Sequence, residues 1–155
     1  MKRKVLVLLT LVISLAVLTG CNNKKSAITS TKFTDVMIND GYNVVDVKNQ
    51  FNEYDQIKEA YVALSENEDY QIEFYVLEND DEAISFYENN KQIFEESKVG
   101  VSTYKNFDLN NTNKYILTTD GKYKLLSRID NTMIYLNVDE KYKENVVNVL
   151  KKIGY

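Results

Sequence analysis

The chain reads as an α+β domain, an antiparallel β-sheet with helices on one side in the order α-βββ-α-βββ-α. Three observations carry this reading. Apolar residues recur at helical spacing in three stretches, and apolar–polar alternation fills the segments between them. The turn pairs Asp120-Gly121 and Asp130-Asn131 cut the last third into a meander.

The first helix is expected from about Ser30 to Asp40, with Phe33, Val36 and Met37 at i, i+3 and i+4. Thr29 or Ser30 caps it, Ile28 and Phe33 have hydrophobic-staple spacing, and Gly41-Tyr42 closes it with a left-handed glycine and an apolar contact. Tyr42–Val47 reads as a strand and 48–56 as a polar connection. Strands follow near Ile57–Ser65 and Tyr70–Glu78. In the second, Ile72, Phe74 and Val76 alternate with Gln71, Glu73 and Tyr75, while the first offers Ala60, Val62 and Leu64. The two apolar sets share a face across an odd loop such as Asn67-Glu68-Asp69. That register is the expected one, because an even loop pairs Leu64 with Gln71.

The second helix is expected over Asp80–Ser97. Asn79 caps it, Glu82 is the capping-box partner, and the acids of the first turn suit its positive end. Ala83, Phe86, Tyr87 and Phe94 form its buried stripe, with Ile93 beside it. Residues 98–112, rich in Ser, Asn and Thr, read as a loop. The two turn pairs then set the meander's register: Ile116 opposite Leu125, and Leu125 opposite Leu136, with Thr118, Tyr123 and Val138, and Ser127 and Ile134, alongside. The opposite face carries Lys122, Lys124, Arg128 and Asn137 but also Tyr115, Leu126, Met133 and Tyr135. A third helix follows from Asp139, with Tyr142, Val146, Val149, Leu150 and Ile153 on one stripe and Gly154-Tyr155 repeating the earlier closure.

The amino end is organised differently. Lys2, Arg3 and Lys4 precede an apolar run from Val5 to Leu18, broken only by Thr10 and Ser14, and small residues lead to Cys21. A positive start, an apolar stretch and a small-residue cleavage site are the parts of a secretory signal. The run is shorter than the roughly 20 residues a membrane span needs, and the chain turns polar at Asn22. Leu18-Thr19-Gly20-Cys21 resembles the lipobox of bacterial lipoproteins at all four positions. The whole chain is similar in style to small lipoproteins of low-GC Gram-positive bacteria. The resemblance implies a signal peptide over 1–20, a diacylglycerol on the Cys21 thiol, a lipidated tether over 21–28, and one domain over 29–155. It implies a protein held on the extracytoplasmic side of the cell membrane by the lipid on Cys21. It implies no activity.

The 155-residue chain has 19 basic and 23 acidic residues, for a net charge of −4. Removing residues 1–20 takes three basic residues and leaves −7. Such a domain is expected to be repelled by anionic lipid, leaving attachment to the acyl chains. Nucleic acid is not an expected partner, since phosphate binding requires a basic face; this also sets aside the double-stranded-RNA-binding domain, whose element order the first five segments share. About 135 residues suffice for one core without disulfides, and Cys21 is the sole cysteine.

The residues leave few chemistries. With no histidine, triads and zinc sites of the usual kind fall away. The one thiol is assigned to lipid, and no glycine-rich phosphate loop occurs. A carboxylate pair acting on a glycan or peptide is the alternative to a non-enzymatic binding or interaction module. Asp108, Asn110 and Asn113, or Glu66, Glu68 and Asp69, offer oxygen ligands without the EF-hand pattern, so no metal or cofactor is expected. The candidate binding face is the cross-strand row Tyr115, Leu126 and Tyr135, which serves equally as sheet-stabilising core if covered. The expected partners are the membrane, through Cys21, and an envelope protein or ligand. A two-lobed solute receptor would need about twice this length.

Overall fold

The computed structural model describes residues 24–155. The leader and Cys21 lie outside the described residues. The elements run α1 (Ser30–Asn39), β1 (Asn43–Asp46), a 3-10 turn (Lys48–Phe51), β2 (Ile57–Leu64), β3 (Gln71–Leu77), α2 (Asp80–Glu96), β4 (Thr103–Leu109), β5 (Thr112–Thr119), β6 (Lys122–Ile129), β7 (Thr132–Asp139), a second 3-10 turn (Glu140–Tyr142) and α3 (Lys143–Ile153). The seven strands form one antiparallel sheet in the order β1-β2-β3-β7-β6-β5-β4. The class is α+β, as expected.

Local chemistry starts and stops the helices as the sequence implies. The Thr29 hydroxyl accepts from the Lys32 amide at 3.2 Å, and the Asn79 side chain accepts from the Glu82 amide at 2.9 Å. Gly41 and Gly154 take φ of +87° and +93°, so the Tyr42 and Tyr155 amides reach back to the Met37 and Leu150 carbonyls, each at 3.0 Å. The meander pairs Ile116 with Leu125 with Leu136, and Tyr115 with Leu126 with Tyr135, in the predicted register. Asp120 and Gly121, both at positive φ, make the tight turn that fixes it.

Three expectations are corrected. First, the helices do not share one side. α1 and α3 cover one face through Phe33, Met37, Val146, Val149, Leu150 and Ile153; α2 covers the other through Ala83, Tyr87 and Phe94. The cause is that the central strands are apolar on both faces. Phe74, Leu125, Ile134 and Leu136 point one way, and Leu77, Leu117, Leu126 and Met133 the other, so each face requires a lid.

Second, Leu64 does pair with Gln71, and Ala63 pairs with Ile72. The loop between Ser65 and Tyr70 holds four residues, closed by the Glu68 amide donating to the Ser65 carbonyl at 2.8 Å with Glu68 at φ +57°. In a strand covered on both sides, Ala60 and Ala63 are both fully buried, so one-face alternation does not decide the register. An irregularity between Ile57 and Glu59 keeps Ile57 inside as well.

Third, residues 103–109 of the expected loop form β4, an edge strand exposed along its whole length. The final order is therefore α-βββ-α-ββββ-α. Below β4, the segment ahead of α1 is fastened down: the Asn111 side chain donates to the Lys25 carbonyl at 2.6 Å, Lys24 is 3.5 Å from Asp130, and Ile28 joins the core.

Candidate functional site

The row Tyr115, Leu126 and Tyr135 is assembled as expected, but α2 lies over it. Tyr115 and Leu126 are both 0 % exposed. They belong to the core, so the expected binding face is withdrawn for these two residues. Tyr135 is half-buried; its ring lies 5.1 Å from Phe94, and burial, then the Glu73 carboxylate, push its hydroxyl pKa up. It reaches a shallow hollow together with Glu73, Lys122 and Asn137.

That hollow adjoins, through Asp69 and Tyr70, a larger cleft of about 550 Å³. Three separated parts of the chain build it. The closure of α1 delivers Tyr42, the β2–β3 hairpin delivers Tyr70, and the turn before α3 delivers Tyr142. The Tyr42 and Tyr70 hydroxyls are 2.9 Å apart and their rings meet edge-on with centroids 6.1 Å apart. Tyr70 and Tyr142 lie closer, at 4.7 Å and 33°. Burial, then the Tyr70 hydroxyl, and finally Asp40, raise the Tyr42 pKa well above its ordinary value. The contact between the two hydroxyls holds the rings in register.

Asp40, Glu66, Asp69 and Glu144 stand around the tyrosines with Asn67, Asn145 and Asn148, and no basic side chain lines the cleft. Asp40 is ion-paired to Lys152, and the Lys141 ammonium caps the Tyr142 ring at 4.6 Å from outside the lining. The local field is negative, and the ring faces carry negative quadrupole density as well. Such a surface attracts cations twice over.

Three acids outside the cleft, Asp108, Asp130 and Asp139, are engaged by neighbouring side chains. The Asp108 oxygens receive the side-chain amides of Asn106 and Asn113 at 2.8 and 2.7 Å. Burial acts to raise the Asp130 pKa, but donation from Asn111 and the nearness of Lys24 hold it below the usual carboxylate range. The exposed Asp139 is held low by Lys122, 2.5 Å away.

The cleft escaped sequence reading because its tyrosines lie at 42, 70 and 142, brought together by strand order alone. Tyr42 was legible only as a helix-closing contact and Tyr142 only as the first position of an apolar stripe. The cleft opens at the sheet end holding the β2–β3 hairpin, whereas Lys24 and Lys25 lie at the opposite end, beside Thr112 and Ile129. An eight-residue strand separates the two ends by about 26 Å.

No protein-family model matches the chain, and no curated protein sequence matches it. Among solved structures it is similar to a GTP binding regulator from Thermotoga maritima at 17 % identity, covering 79 % of this chain and 84 % of that one with a TM-score of 0.45. A likeness of that strength carries no argument about this chain. Among the described residues, no helix is long and apolar enough to cross a membrane.

Proposed function

We propose that the protein is a lipoprotein anchored by acyl chains on Cys21 at the outer side of the cell membrane, where it works as a non-enzymatic binding module. Its ligand is cationic: an amine, a quaternary ammonium group or a lysine-rich peptide segment. One observation carries the ligand class, namely three tyrosine rings and four carboxylates around a single cleft with no basic lining residue. Ammonium groups over tyrosine faces gain roughly 0.5–2 kcal/mol each, and the acidic rim adds long-range attraction. The address is supported by the leader and the Leu18-Thr19-Gly20-Cys21 motif. The cleft's position at the far end of the sheet from Lys24 suits a module that meets ligands away from the bilayer.

Titration of the purified protein with choline and with trilysine, followed by NMR of the tyrosine rings, tests the ligand class. Saturable shifts of Tyr42, Tyr70 and Tyr142 are expected, weakening as salt screens the rim. Tyr142→Ala should lower the affinity about fivefold, equivalent to about 1 kcal/mol. Absence of saturable shifts with both probes, or shifts centred outside this cleft, refutes the assignment.

A further inference from the structure

The sheet is covered unevenly. On the side of α1 and α3, the described helices pack over β1–β3, β7 and β6, cover β5 only in part and leave the edge strand β4 bare. The alternation of β4 directs Lys105, Phe107 and Leu109 to that bare side, and β5 pairs Phe107 with Lys114 and Lys105 with Ile116. Phe107 is 51 % and Leu109 68 % exposed, unusual for large apolar side chains on a strand. A hollow of about 500 Å³ lies between them and residues 24–25, lined by Lys24, Lys25 and Lys114. A second, of about 240 Å³, continues the same face with Lys105 and Lys143. No carboxylate lines either hollow; Asp130, the ion-pair partner of Lys24, stands just outside.

In a chain with an acidic excess, five lysines set around bare apolar side chains form a segregated patch. Burial lowers the Lys114 pKa, and the neighbouring Lys25 ammonium lowers it further. These paired cations are short of a counter-anion that an approaching surface could supply. The position matters equally. Cys21 is three residues before Lys24, which limits their separation to about 11 Å of extended chain, and the Asn111–Lys25 bond keeps that origin at the patch.

The geometry points to an anionic bilayer as the occupant: the β4–β5 face lies on the membrane, Phe107 and Leu109 entering the headgroup boundary and the lysines meeting lipid phosphates. This rests on the lipid anchor proposed above and replaces the expectation of simple repulsion, because charge acts locally within a screening length of about 10 Å. The diacylglyceryl group holds the chain at the membrane, and the patch sets which face of the domain lies against it.

The chain contains no tryptophan, so Phe107→Trp gives a single reporter, and Tyr54→Trp, at a site 52 % exposed, gives its control. The full-chain product, its Cys21 mass checked first, is placed in vesicles containing phosphatidylglycerol or in vesicles of phosphatidylcholine alone. Quenching of the residue-107 reporter by brominated lipid is expected in the first and little in the second, with the residue-54 reporter unquenched in both. Replacing Lys24, Lys25 and Lys114 by glutamine should lower the docked-to-undocked ratio roughly a hundredfold, at about fivefold per lysine. Equal quenching in both vesicle types, or none at residue 107, overturns the proposal. An unmodified Cys21 overturns the anchor reading alone, since the reporter still reads docking in that sample.

Discussion

Leu126 lies at the centre of the structural argument. It is 0 % exposed, sits on β6 in the middle of the sheet, is flanked across strands by Tyr115 and Tyr135, and shares a cluster with Ala83, Tyr87 and Phe94 of α2. Leu126→Ala removes three carbons from a site whose neighbours are stiff rings on paired strands. The surroundings can collapse only partly, so the cost should fall near the middle of the range for such truncations, about 3–4 kcal/mol. With a urea slope of about 2 kcal/mol per molar for a domain of this size, the unfolding midpoint should drop by about 1.5–2 M at unchanged slope. Equilibrium urea unfolding followed by circular dichroism measures this. Had the row been a solvent-facing binding surface, the change would stay within about 0.5 kcal/mol. A midpoint shift that small would refute the placement of α2 over this face.

Asn79→Ala removes the acceptor for the Glu82 amide at the start of α2 and should cost about 1 kcal/mol by the same assay, with Asn79→Ser restoring most of it. Raising pH should unfold the protein in concert with tyrosine ionisation. Burial leads the causes that raise Tyr42, Tyr75, Tyr87 and Tyr155 above the ordinary value of 10.0. Because the unfolded chain releases these protons first, the stability they confer is intact below pH 10 and declines as pH rises beyond it. Phenolate absorbance should therefore appear for these rings only together with loss of circular dichroism. Full ionisation of all twelve tyrosines in a chain with native circular dichroism would contradict the packing.

Local signals in the sequence proved faithful. Thr29, Asn79, Gly41 and Gly154 act where propensity puts them, and Asp120-Gly121 sets the meander register to the residue. What escaped was set by tertiary placement. The apolar residues Tyr115, Leu126, Met133 and Tyr135 already marked a second buried face, yet nothing in the stripe of α2 states which face it will cover. β4 lacks apolar alternation because both sides of an edge strand are wet. Its signal was the pair Asn110-Asn111, with Asn110 at φ +46°, a two-residue hairpin turn inside an apparent loop. The cleft had no local signature at all, since neither spacing nor composition links Tyr42, Tyr70 and Tyr142. The basic patch was hidden by net charge, which averages Lys24, Lys25, Lys105 and Lys114 with acids elsewhere.

The proposed address depends on the amino end. The intact mass of the protein extracted from its own membranes tests this most directly. The account predicts a chain that begins at Cys21 and carries a diacylglyceryl group on that residue. A chain retaining residues 1–20 with a free thiol, recovered from the cytosol, would contradict it.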